Sequence, residues 1–246
     1  MRVFRAIYLR ELKGYFSTPV GYVFLVVFLI GNGFITFAPG WGGYYISRQA
    51  HLRPMFDYIP YLFIFMVPAV AMRLWSEERR SGTAELLFSL PVKVSQAVLA
   101  KFFAAWSVIC IALVLTTTLV MITYFLGEPD TGPIITSYLG AVLLGGAYLA
   151  IGCFCSALSK NQVISFILAV IGCIFFLKLG SPPVLNLLSN FMPGLGLEML
   201  EAHSLETRFE SMQRGVLNLS DLVFFFAMIV AWLIACGIVL DYKKAE

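Results

Sequence analysis

The sequence predicts an all-α integral membrane protein with six transmembrane helices, and three observations carry that expectation. Of the 246 residues, 60% are hydrophobic and 13% charged, where a soluble domain carries roughly 25% charge. The apolar residues fall in six long runs, each near the length needed to cross a hydrocarbon core, and the mean hydropathy is +0.87. The basic residues collect between alternate runs, as orientation in a membrane requires. A net charge of +3 is too small to argue for nucleic acid, so no nucleic-acid partner is expected and membrane lipid is the surrounding medium.

Residues 1–18 predict an amphipathic interfacial helix. At about 100° per residue, Val3, Phe4, Ile7, Tyr8, Leu12 and Tyr15 share one face and Arg2, Arg5, Arg10 and Lys13 the other. A basic amphipathic helix beside a span lies in the headgroup plane. Glu11 falls on the apolar face. It either snorkels or pairs with a basic group of the polar stretch described below. Arg5, Glu11 and Lys13 are the candidate residues of this helix.

The spans follow in order. Residues 20–37 form the first, opened by Pro19 and carrying Asn32 between two glycines, which suits close helix packing. An outer loop rich in Gly and Tyr leads to a second span over 59–75, where Pro68 should produce a kink. The third covers 102–126 and is followed by the turn-rich link GEPDTGP; the fourth covers 134–158, the fifth 163–179 and the sixth 222–240. With both termini inside, twelve of the 17 basic residues lie on the inner side and five on the outer. The excess of lysine and arginine inside favours that orientation.

Residues 76–101 are the longest polar interruption. Glu77, Glu78, Arg79 and Arg80 sit together, Gly82 permits a turn, and Thr83 to Leu90 carries a short helical pattern. Glu85 in the first turn complements the helix dipole. Leu86, Leu87 and Leu90 make one apolar face, and Pro91 stops the helix. An exposed short helix tied to a span at each end suits a groove on a partner protein, with the four charges setting register. The plainer fate of such a charge run is to anchor a span end among headgroups.

Residues 180–221 form an outer segment. Pro182 and Pro183 break the fifth span, and 184–192 is apolar but too short to cross, which predicts a re-entrant or interfacial turn. A helix is expected over 197–213. Leu197, Glu201, Arg208, Phe209 and Arg214 are its candidate residues, as a cap over a passage or as a docking face for an outer protein.

No catalytic constellation is present. The two histidines, His51 and His203, fall in outer segments, and no HExxH, GxSxG or phosphate-loop lysine motif occurs. All five cysteines lie inside apolar runs, where they read as small core residues, so no metal site is expected. Ionisable residues are nearly missing from the spans, so coupling to an ion gradient is not expected either. A chain that neither catalyses nor couples to ions must receive energy from outside, and 76–101 is the available handle.

Four stretches carry a resemblance: ELKGYFSTPVGYVFLVVFLIGNGF, RLWSEERRSGTAELLFSLPVKVSQAVLAKF, AYLAIGCFCSALSKNQVISF and RFESMQRGVLNLSDLVFFF. Together they resemble, in order along the whole chain, the membrane subunits of ABC-2 type transporters, especially the small permeases of the gliding-motility type. The resemblance implies a coupling helix within 76–101 and a single permease domain in the bacterial inner membrane. It implies two copies of a separate ATPase subunit, which bind ATP and Mg, and a second permease subunit that is this chain or a paralogue. The chain itself would hold no cofactor. ATP would drive rocking of the two permease halves. An extracytoplasmic auxiliary protein is compatible with the family, and the cargo is not fixed by it. A second reading is a non-transporting membrane subunit that passes ATPase-driven motion to an outer partner.

Overall fold

The computed structural model describes residues 2–38, 44, 51–83, 92–189 and 194–244, and among them it contains helices and turns but no strand. Helix α1 (Arg2–Ser17) meets α2 (Pro19–Phe37) at 67°. The elbow follows from the local sequence. Thr18 is extended at φ −111° and ψ 155°, and Pro19 starts α2, where a missing N–H costs nothing. Gly21 is required, because a Cβ there would lie 2.4 Å from the Tyr15 carbonyl oxygen.

Helices α3 (Arg53–Ala71) and α4 (Arg73–Ser81) run on from each other, interrupted only at Met72. Helices α5 (Val94–Leu115) and α6 (Thr117–Leu126) are likewise continuous except at Thr116, whose hydroxyl donates to the Leu113 carbonyl. Helix α7 (Thr131–Leu158) is capped by Asp130, which accepts from Gly132 N; α8 (Gln162–Lys178) is capped by Asn161, which accepts from Val163 N. After α8 the chain turns by 82° into α9 (Pro182–Leu188). Helices α10 (Gly194–Ala202), α11 (Leu205–Gln213) and α12 (Leu219–Lys244) complete the described fold. Among the described residues, four helical stretches are long and apolar enough to cross a membrane, and counting each bent pair as one span gives up to six.

Helix α7 is the spine of the bundle. It packs against α3, α4, α5, α8, α11 and α12. Its glycines set those distances: a Cβ at Gly152 would lie 2.4 Å from the Ala71 Cβ, and one at Gly145 or Gly146 would lie 3.0 Å from Ile109 of α5 or Ile229 of α12. Close backbone approach through small residues is how helices gain dispersion where lipid supplies no hydrophobic drive. The outward faces are apolar stripes. On α2 these are Tyr22, Val23, Val26, Val27, Ile30 and Phe34, and on α12 Val223, Phe226, Val230, Ile234 and Ile238. Such stripes belong in hydrocarbon.

Several predicted boundaries move. The second-span helix starts at Arg53 and, through α4, ends at Ser81, wider than 59–75 on both sides. The third-span helix starts at Val94, not 102. Hydropathy marks where hydrocarbon lies, whereas a helix continues until something stops it. Here Gly82, at φ +75°, is the stop. Glu77, Glu78, Arg79 and Arg80 are therefore the last turns of a helix rather than a loop. The outer helix expected over 197–213 is two helices, because Ser204 is extended and its hydroxyl donates inward to the Leu177 carbonyl. The short helix expected from 83 to 90 falls mostly on 84–91, outside the described residues.

Candidate functional site

The described part of the polar stretch is bound to three other elements. Lys101 opens the apolar part of α5 yet is only 1% exposed. Its Nζ donates to Glu78 Oε1 on α4 at 2.9 Å and to Glu11 Oε1 on α1 at 3.1 Å. It also lies 5.1 Å from the centre of the Trp75 ring, a distance at which the ring face attracts a cation. Arg10 closes the cluster from the exposed side, 3.0 Å from Glu11 and 3.4 Å from Glu78. Burial pushes the Glu11 carboxyl up, but the Lys101 ammonium and the Arg10 guanidinium outweigh it and hold it below its ordinary value. Two carboxylates shared between a buried and an exposed cation thus join α1, α4 and α5.

A second set of bonds ties α4 to α7. The Ser156 hydroxyl accepts from the backbone N–H of Trp75 at 3.0 Å and of Ser76 at 3.1 Å, and donates to the Met72 carbonyl at 3.0 Å. One hydroxyl therefore sits in the backbone ladder where α3 passes into α4, which accounts for the break. Pro68, one turn earlier, has no N–H of its own, and its carbonyl accepts from Met72 N at 2.8 Å. Arg79 donates to the Ala157 carbonyl at 2.5 Å, and Lys243 of α12 donates to the Leu158 carbonyl at 2.7 Å. These cations meet the negative end of α7, where the helix dipole favours them.

The candidate residues divide accordingly. Glu78 and Arg79 are used within the chain. Glu77, Arg80 and Thr83 are exposed around the Gly82 turn, with the Thr83 hydroxyl 2.9 Å from Ser81 Oγ. Glu85, Leu86, Leu87, Leu90 and Pro91 lie outside the described residues. Arg5 and Lys13 are exposed on α1, while Ile7 and Tyr15 on its other face are buried. The Glu11 pairing is made, and its partner is Lys101.

At the opposite end of the bundle, α11 is fastened down. Leu205, Phe209 and Met212 are buried, and Phe209 and Met212 press against Gly140 of α7. Lys178 at the end of α8 donates to Glu206 at 2.6 Å and to the Tyr61 hydroxyl at 3.0 Å; that hydroxyl in turn donates to Glu206 at 2.8 Å. Arg208 pairs with the buried Asp221 of α12 at 2.6 Å and stacks over Phe224. Phe209 thus faces the bundle, while Arg208 is half-buried where α11 meets α12. Glu201 and Arg214 are exposed, Arg214 3.4 Å from Glu210. Leu197 falls within α10, and its side chain lies outside the described residues.

Sequence reading missed Lys101, Ser156 and Asp221. Lys101 had a signal: a single cation at the start of an apolar run, with an unexplained carboxylate at Glu11. Ser156, a small hydroxyl in a run of small residues, had none.

No curated protein matches the chain. A family model described as ABC-2 family transporter protein matches residues 27–240. With that match over most of its length, and with its multi-pass helical architecture, the chain belongs to the ABC-2 transporter family, as a membrane permease subunit of an ABC transporter.

Proposed function

We propose that this permease couples ATP hydrolysis on separate ATPase subunits to movement of a substrate across or out of the membrane. Two ATPase copies, carrying ATP and Mg, act on residues 76–101, and a second permease subunit, the same chain or a paralogue, completes the transporter. The chain is a single permease domain in the bacterial inner membrane, with both termini in the cytoplasm and α1 lying in the headgroup plane; it resembles the gliding-motility branch. It does no catalysis itself. The observation that carries this reading is the attachment of α4. Its exposed end bears Glu77, Arg80 and Thr83, while Glu78, Arg79 and the Met72 break are joined to α1, α5 and α7. Force delivered at the Gly82 turn would reach three elements without depending on a flexible loop. Under this reading residues 84–90, which lie outside the described residues, serve as the rest of the coupling contact.

The test uses surface positions that spare the internal bonds. Glu77→Lys with Arg80→Glu, and separately Leu87→Asp, should abolish co-purification of the ATPase while the permease inserts normally. Unchanged co-purification and unchanged ATPase activity in both variants would refute the coupling role. Orientation is read by labelling a Ser89→Cys variant, which should react only from the cytoplasmic side.

One observation favours the second reading, transmission of motion to an extracytoplasmic partner. Helix α11 is tied by ion pairs to both α8 and α12, so the outer end is stiff, as a transmitter requires. Glu201 and Arg214 would then face the partner. Transport of a labelled cargo by the purified complex excludes this reading; ATPase activity that needs an outer protein supports it.

A further inference from the structure

The elbow between α1 and α2 contains a cleft of about 220 Å³ lined by Glu11, Gly14, Thr18, Arg73 and Glu77, among others. Three features of this cleft point to one ligand chemistry. Arg73 presents a guanidinium whose Nε is buried and has no hydrogen-bond partner. Arginine in such a position seeks a phosphate or carboxylate, which its planar donors fit. Thr18 stands at the start of the 19-residue helix α2 and does not cap it; its hydroxyl donates back to the Gly14 carbonyl at 3.0 Å. Thr18 itself lines the cleft, so the positive dipole end of α2 begins at its edge, and that end also favours an anion. Glu77 on the rim forms no ion pair among the described residues, so it is available to a cation. Glu11 is already held by Lys101 and Arg10.

An anion subsite next to a cation subsite, at the level where an amphipathic helix meets a span, matches a zwitterionic headgroup. Beyond the elbow α2 carries an exposed apolar stripe through Val23, Val26, Val27 and Ile30, a surface suited to acyl chains. We propose that this cleft binds an amine-bearing phospholipid, with its phosphate on Arg73 and the start of α2 and its primary ammonium on Glu77. The lipid belongs to the leaflet on the N-terminal side. It ties the α1–α2 elbow to α4, and so bears on the element that the coupling role requires. The binding can be measured on the permease without any ATPase, so its failure is separate from failure of the coupling role.

The experiment takes the full chain in detergent, exposes it to equal amounts of phosphatidylethanolamine, phosphatidylcholine and phosphatidylglycerol with identical chains, and counts retained lipid by native mass spectrometry. Phosphatidylethanolamine should be retained in preference to both others. Arg73→Gln should reduce its retention about tenfold or more, the loss of a charge-assisted contact. Glu77→Gln should erase the preference over phosphatidylglycerol. Gly14→Leu fills the cleft: a Cβ there meets nothing within 4 Å, and replacing glycine inside a helix should not weaken the fold. It should abolish retention with no fall in melting temperature, which keeps the test valid if Arg73→Gln folds poorly. Equal retention of the three lipids, or retention unaffected by Gly14→Leu, overturns the proposal. Displacement of the lipid by millimolar inorganic phosphate or free phosphoethanolamine overturns it too, since the site would then be one for soluble phosphate.

Discussion

Replacing Lys101 by methionine tests whether the α1–α4–α5 cluster is a structural joint. The substitution keeps length and removes the charge. It deletes two charge-assisted bonds, at 2.9 and 3.1 Å, each worth about 1.5–3 kcal/mol. Against that stands relief from burying an ammonium, itself a cost of several kcal/mol. Removing one partner of a buried ion pair generally costs about 3–5 kcal/mol, because the remaining charge is stranded. Here the stranded carboxylates are 20% and 18% exposed and keep Arg10, so the cost falls around or just under the low end of that range, about 2–4 kcal/mol. For a chain of this size that is a fall in Tm of roughly 5–15 °C. The decisive comparison is Lys101→Met combined with Glu11→Gln and Glu78→Gln. No stranded charge remains in that triple variant, so it should recover most of the loss. Thermal unfolding in detergent, followed by fluorescence of Trp75 and the other tryptophans, reads all three proteins. A single variant melting within about 2 °C of the parent, or a triple variant less stable than the single one, refutes the joint.

Three further predictions follow from the same geometry. Ser156→Ala removes the hydroxyl that serves Trp75, Ser76 and Met72; it should cost about 1–3 kcal/mol and speed amide exchange specifically over 73–76. Gly152→Ala forces α7 away from Ala71 and should cost about 1–3 kcal/mol; adding Ala71→Gly should return part of that, whereas additive losses would mean that the two do not meet. The Glu11 carboxyl is held below its ordinary value of 4.5 in the folded state, so its contribution is complete above pH 4.5 and is lost as pH falls through the lower folded value. The stability difference between the parent and Glu11→Gln should therefore be flat from neutral pH down to about 5 and shrink below 4.5, as read by Tm at each pH.

What could be read from sequence followed from how each feature is encoded. Apolar runs gave helix-rich membrane topology, because crossing hydrocarbon demands internally bonded backbone over a fixed length. Gly82 and the elbow at Pro19 were legible because each uses a residue with restricted or unusual backbone geometry. The break between α10 and α11 was not, because it depends on Ser204 finding the Leu177 carbonyl across 27 positions, a contact that no local pattern contains. The same holds for Ser156 and Met72, 84 positions apart. Charge patterning located the polar stretch but not its partition: Glu77 and Glu78 look alike in sequence, yet one is exposed and the other holds Lys101. For a related reason amphipathic periodicity grouped Phe209 with Arg214 without saying what covers either: Phe209 packs against Gly140, and Arg214 is exposed.

The distribution of bonds also bears on how such a chain could move. Within the bundle, α7 meets its neighbours through glycines whose Cβ positions are already filled, and packing this close resists sliding because any shift creates overlap on one side and voids on the other. The ionic contacts lie at the two ends, Lys101 with Glu11 and Glu78 at one, Lys178 with Glu206 and Arg208 with Asp221 at the other. A load on α4 therefore has few internal degrees of freedom to dissipate into. The one interruption of regular helix on its path is the Met72 break, where a side-chain hydroxyl stands in the backbone ladder. If α4 bends there, the end at Ser81, about 13 Å away for nine residues, moves while α3 stays still. If Ser156 keeps the break rigid, the whole subunit must tilt. Amide exchange at Trp75 and Ser76 under ATPase turnover separates the two: unchanged protection means tilting of the subunit as a body, and loss of protection means a hinge at Met72.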